Sequence, residues 1–323
     1  MQQIDTTGGA ENQPVSEASV LKEAYKHRVV EYMSKAQFRK DIKSMLGKQN
    51  QRLSISIDDL RRADPDLARF ITKNPIDAVS MFEGELDRTI KEMMDDSSKG
   101  GHPEKTAAGT NDKAFPTKTK RYYINFEGNF GRNHVTPRGL KANLVNQLVS
   151  VRGIVTRMGL VKPMIQTSVH YCEATKKGEI RHYDDNTNLA EMGQEQNRST
   201  NGSETFPVKD KDGNSLTHEY GYCLYKDSQM VTIQEMPESA PPGQLPRSVT
   251  VVLQNDLVDS IKPGDRVEVT GVYRAAPNVH MGMTRGTFRT QIVATGVVSL
   301  LAEKQKPSLS EQDIKNIRKI AKE

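Results

Sequence analysis

Apolar and polar positions divide the chain into three stretches with different periods. From Ser16 to about Leu46, Leu21, Tyr25, Val29, Met33 and Ala36 recur every three or four residues, which predicts one capped helix. Residues 52–57 (RLSISI) alternate as a short strand does. Asn74 and Pro75 then open a second helix, with Val79, Phe82, Leu86, Ile90 and Met93 as its buried stripe. From Arg121 the period becomes two. Residues 121–126, 145–157, 229–235, 248–253, 266–273 and 287–298 are β-rich, and turn chemistry such as Lys262-Pro263-Gly264-Asp265 punctuates them. Residues 138–146, between the first two of these strands, read as helix-prone.

This pattern predicts an α+β chain. Residues 1–15 form a flexible tail, 16–95 a helical bundle and 96–119 a Ser/Gly/Lys/Pro-rich linker. Residues 120–170 and 229–300 form a five-stranded barrel of the OB type. Residues 171–228 are too long and polar for a loop in a compact domain, so they read as an inserted subdomain. Two barrel strands are joined by 12 residues, AAPNVHMGMTRG (275–286), a long projecting hairpin with Arg274, His280, Arg285 and Arg289 on or near it. The last segment, 301–323, starts a capped helix at Ser308 or Ser310, with Ile314, Ile317 and Ile320 at helical spacing, and reads as a linker toward a further module.

Charge sharpens this picture. The net charge is only +5, but residues 121–170 carry seven basic residues against one acidic, while residues 171–245 carry seven against thirteen. A polyanion would meet the first stretch more readily than the second. Two distant cysteines, Cys172 and Cys223, make no disulfide framework and fit a reducing compartment. The N-terminus lacks a secretory pattern, and no apolar run approaches the ~20 residues that span a bilayer. No P-loop, zincin, nucleophile-elbow or Rossmann motif occurs, so nothing in these residues supports catalysis.

Longer strings then become recognisable. QMVTIQEMPESAPPGQLPR (229–247), followed by DLVDSIKPGDRVEVTGVYR (256–274), resembles the N-terminal region of MCM (minichromosome maintenance) replicative helicase subunits. FEGNFGRNHVTPRGL (126–140) and VRGIVTRMGLVKPMIQTSVHYCEATKK (151–177) extend the resemblance, which looks most like the third subunit type of the eukaryotic heterohexamer. It implies a helical subdomain, an OB-fold with an inserted zinc-type subdomain, and a hairpin pointing into a ring channel. It also implies an ATPase module beyond this chain, where ATP and Mg would bind, other MCM subunits and DNA as partners, and a nuclear place in replication licensing and fork unwinding.

The implied DNA contacts are Arg157, Lys162, Arg274, His280, Arg285 and Arg289, acting mainly on phosphates without regard to sequence. The family's second basic position, on the strand before Q-E, falls here on Thr232, which implies a weaker single-strand grip. The family's two C-x-x-C pairs are reduced to Cys172, with Thr175 in the second place and no cysteine in 207–214. One thiolate cannot hold structural zinc. His170, His182 and Cys223 are the imaginable replacements, but packing roles for His170 and Cys172 are preferred, so no metal and no cofactor is expected. The proline-rich arm of Gln234, Glu235, Pro237, Glu238, Pro241, Gly243, Pro246 and Arg247 corresponds to the family's loop toward the ATPase tier. Two other readings remain: a free-standing OB-type single-strand binding protein, and a purely structural ring scaffold.

Overall fold

The computed structural model describes residues 17–48, 50–98, 121–183, 209, 213–276, 279–280, 283–284, 286–300 and 311–321. The expected tail, the Ser16, Ser308 and Ser310 caps, residues 99–119, most of 184–212 and Arg285 lie outside them.

The N-terminal unit is helical: α1 (Glu17–Met33), α2 (Ala36–Gly47), β1 (Arg52–Ser56), α3 (Ile57–Ala63), α4 (Pro65–Lys73) and α5 (Pro75–Ser98). The single helix expected from Ser16 to Leu46 is broken at Ser34-Lys35 into α1 and α2. Two short helices follow β1 that periodicity did not predict. Their caps explain them. The Ser56 hydroxyl accepts from Asp59 N at 3.3 Å, and the Asp64 carboxylate accepts from Asp66 N and Leu67 N at 3.0 and 3.1 Å, with Pro65 in the first turn. The α5 stripe is as the pattern predicts: Val79, Phe82, Leu86 and Ile90 are buried and Met93 packs against them.

β2 (Tyr123–Glu127) does not begin the barrel, as its position in the β-rich run predicted. It pairs in parallel with β1, Arg52 opposite Tyr123 and Ser56 opposite Glu127. Ile124 and Phe126 thus join the helical core. Next come β3 (His134–Val135), β4 (Leu148–Met158), β5 (Lys162–Cys172), β6 (Lys177–His182), β7 (Thr217–His218), β8 (Leu224–Gln234), β9 (Ser248–Gln254), β10 (Arg266–Ala276), β11 (Val279–His280), β12 (Met283–Thr284) and β13 (Arg289–Ser299). Residues 138–146 form no α-helix; 3-10 turns occupy Pro137–Gly139 and Ala142–Leu144. α6 (Glu311–Ile320) ends the described chain.

Strand pairing runs β4-β10-β13-β9-β8, and β8 pairs back to β4, closing a circuit of five strands. Gly153 permits that closure: a Cβ there would run into the Ile233 side chain and the Gln234 carbonyl. The inside is filled by alternate residues, among them Val151, Val231, Val251, Val269, Tyr273 and Ile292. The inserted segment grows out of the barrel sheet. β5 runs on from the β4 turn along β8, and β6 and β7 pair with β5. No helix among the described residues is long and apolar enough to cross a membrane.

Candidate nucleic-acid interface

The barrel's outer face has two parts. In one, Leu148, Val272 and Val293 lie side by side across β4, β10 and β13 and belong to the same core as the helices. The helical unit roofs this part. The Arg52 guanidinium ties the two together. It donates to both Asp256 carboxylate oxygens, at 2.9 and 2.6 Å, and to the Thr295 carbonyl, and it lies over the Tyr123 ring. Gly296 sits where a Cβ would collide with the buried Asn125 side chain of β2.

Two residues further along β10 and β13, a different row begins and continues over β9 and β8 to the far end of β4. Arg157 on β4 stands opposite Thr232 on β8. Thr232 stands opposite Thr250 on β9, Thr250 opposite Gln291 on β13, and Gln291 opposite Arg274 on β10. Directly opposed residues share a face, so these five side chains form one polar row with an arginine at each end. Four strand spacings make it roughly 19 Å long. Arg157 is exposed and the other four are half-buried. The intervening residues Val231, Val251, Ile292 and Tyr273 point inward and are buried.

The other expected contact residues extend this row unequally. Arg289 is exposed and lies two residues before Gln291 on the same face of β13. Lys162, also exposed, opens β5 opposite Ser228, beyond the exposed turn containing Leu160. His280 lies in the small β11–β12 ladder at the hairpin tip, opposite Met283 and away from the row. Arg285 falls outside the described residues.

The proline-rich arm joins β8 to β9. Gln234 still belongs to β8, where it faces Ile154 and Ser248. Glu235 is buried, whereas Pro237, Glu238, Pro241, Gly243, Pro246 and Arg247 are exposed. Glu238 pairs with Arg266 at 2.7 Å, and a hydrogen bond from its own backbone, followed by this pair, holds its carboxyl below the usual range.

A barrel closed by β4–β8, with a helical unit on one side and an inserted sheet extension on the other, invites comparison with known families. Residues 134–277 match the MCM OB domain and residues 23–128 match the MCM N-terminal domain. The chain belongs to the MCM family. It is 38% identical over 285 residues to the zygotic DNA replication licensing factor mcm3 of Xenopus laevis, covering 88% of this chain and 32% of that protein. It is 39% identical over 281 residues to the licensing factor Mcm3 of Drosophila melanogaster, with 87% and 31% covered. With mcm3 of Schizosaccharomyces pombe it shares 37% over 295 residues, 88% and 31% covered. The chain thus spans about a third of the length of the curated relatives it matches. The boundary of the MCM N-terminal match after residue 128 agrees with β2 belonging to the helical unit.

In the sheet extension, Cys223 and His170 are engaged with neighbouring groups. Cys172 and Cys223 are both buried. The Cys223 thiol donates to the Glu219 carbonyl at 3.1 Å and its sulfur accepts from Val169 N at 3.4 Å. His170 Nε2 is 2.8 Å from the Ser168 hydroxyl, and burial pushes its pKa down. No group of three or more His, Cys, Asp or Glu among the described residues is arranged to hold a metal ion. This donor set does not fit a tetrahedral thiolate site.

One residue that motif reading missed stands out. Arg138, within the T-P-R-G-L string, bonds the buried Glu235 and two further points of the arm. The string was visible, but its partner lies 97 residues away.

Proposed function

We propose that this chain is the non-catalytic N-terminal portion of an MCM ring subunit, which binds the sugar–phosphate backbone of DNA across the polar row from Arg157 to Arg274. The carrying observation is that row: arginines at both ends and hydroxyl and amide side chains between them, on the barrel's outer face and outside the apolar core shared with the helices. Such contacts hold phosphates without reading bases. Other MCM subunits are its partners, its place is the nucleus, and its role is in replication licensing and unwinding. ATP and Mg belong to a further module. The proline-rich arm passes the state of the DNA site to that module.

A free-standing single-strand binder would present stacking platforms. The row contains no aromatic residue, Tyr273 is turned into the barrel, and Phe288 is exposed only beside the start of β13. The absence of platforms from the row favours the ring subunit.

Titration with single-stranded and duplex DNA at two salt concentrations tests this. Binding should be weak, sequence-independent and steeply salt-dependent. Arg157→Ala, and Arg274→Ala with Arg289→Ala jointly, should each weaken it. Each should also lower the log–log salt slope by roughly 0.7–0.9 for every phosphate the protein no longer neutralises. Unchanged affinity in both variants would remove the row from the DNA site. Absence of binding at any salt would favour a structural scaffold.

The same reading has the sheet extension folded without structural zinc. Elemental analysis of dialysed protein should find well under one zinc per chain, and a stoichiometric content would reverse it.

A further inference from the structure

The arm between β8 and β9 has little of its own to hold it. Pro237, Pro241, Pro242 and Pro246 contribute no N–H. Its internal backbone bonds are three single-turn contacts: Ser239 N to Met236 O, Ala240 N to Pro237 O and Gln244 N to Pro241 O, at 2.9–3.3 Å. Most of its side chains are exposed, Leu245 to 89%. Yet at its root lies Glu235, a carboxylate with a side chain only 1% exposed. A charge withdrawn from water needs a partner, and Arg138 supplies it.

Arg138 reaches the arm at three points. Its Nε donates to Glu235 Oε2 at 3.2 Å, Nη2 donates to the Leu245 carbonyl at 3.1 Å, and Nη1 donates to Gln244 Oε1. Glu235 in turn accepts from Arg247 N at 3.4 Å, beside the ladder bond from Glu235 N to Arg247 O at 2.8 Å. Arg138 sits on the 3-10 turn Pro137–Gly139, whose Pro137 is buried. One planar guanidinium therefore joins the start of the arm to its end, which the point charge of a lysine cannot do.

The geometry points to Arg138 as the positioning residue of the arm: it closes residues 235–247 into one shape and holds Leu245 outward as the arm's contact with an adjoining module. This rests on the coupling role given to the arm above. It predicts that loss of the fork loosens the arm and uncouples it, while the DNA row is untouched.

Hydrogen exchange on this chain reads the clamp directly, at the amides of Ser239, Ala240, Gln244 and Arg247. Arg138→Gln should speed exchange at Gln244 and Arg247 by about tenfold or more, and Arg138→Lys should restore only Arg247, through Glu235. The β8–β9 ladder and DNA affinity should stay as in the parent, while Glu235, left buried without its partner, lowers the unfolding midpoint. Gln244→Ala, at an exposed position, should loosen the end of the arm without disturbing Glu235. Unchanged exchange in both Arg138→Gln and Gln244→Ala overturns the clamp. So does faster exchange spread over the barrel ladders as well as the arm, which would make Arg138 an ordinary structural residue. In an assembled full-length ring, Arg138→Gln should lower DNA-stimulated ATP hydrolysis severalfold relative to basal turnover. A loosened arm with undiminished stimulation overturns the coupling role, and leaves the DNA-binding proposal to be judged by affinity alone.

Discussion

Two rows on one barrel face, a single pleat apart, meet different fates. Leu148, Val272 and Val293 lie beneath the helices and share their core. Arg157 is exposed, and Thr232, Thr250, Gln291 and Arg274 are half-buried and outside that core. The strands are the same, so strand propensity cannot separate them. The difference is what stands above. Where α5 and β2 press down, the residues are apolar and tightly fitted, down to a glycine opposite Asn125. Where that cover ends, the residues become polar and two of the five are cationic. Apolar packing and polar exposure are therefore divided across strands, row by row, and a motif read along one strand mixes the two.

The largest way to break this contrast is to damage the roof. Phe82 is fully buried and meets Phe126 edge-on, with ring centroids 5.5 Å apart. Phe82→Ala should cost about 3–5 kcal/mol by denaturant unfolding. Arg157→Ala should change stability by no more than about 0.5 kcal/mol. Equal effects would erase the distinction between the rows.

A matched pair of isosteric exchanges sharpens it. Val293→Thr buries a hydroxyl under the roof and should cost about 1–3 kcal/mol. Thr250→Val, in the open row two places along the face, should stay within about 0.5 kcal/mol. Equal costs in a thermal melt would show that the roof extends over both.

A pH-dependent test lies at the roof's edge. Burial pushes the Glu83 carboxyl up from its ordinary 4.5 to about 7, although Arg52 and Arg121 pull it down. The native state holds that proton more tightly than the unfolded chain does. The associated stability is fully present below pH 4.5 and is lost as pH rises through about 7. Glu83→Gln should therefore match the parent at low pH and exceed it by about 3 kcal/mol at pH 8. A parent that gains on the variant as pH rises would reverse the assignment.

Much of this was legible from residue order. The α5 stripe and the barrel strands follow from periodicity; the family motif singles out Arg157 and Thr232 separately, and only the β4–β8 register sets them opposite each other. Helices α3 and α4 carried local signals in Ser56 and Asp64 that a search for apolar stripes passes over, since each helix is short. Residues 138–146 looked helical because Leu140 and Leu144 are four apart, but Pro137 and Gly139 favour tight turns instead. Long-range choices were not legible. Alternation marks 121–126 as a strand without naming its neighbour, and β1 lies some seventy residues earlier. Arg138 reads as one more basic residue until the arm folds back onto it.

The parallel pairing of β1 with β2 bears on how this protein can be divided. The obvious seam for a molecular biologist is the polar stretch after α5. A piece ending there would leave β1 with a bare edge and the helical core without Ile124 and Phe126. A piece starting there would carry β2 with no strand to zip against. Cutting the backbone within that stretch while keeping both pieces together is another matter, because the ladder and the shared core would still hold them. The stretch can therefore be nicked, lengthened or tagged, yet the two units it joins should not be expressed apart.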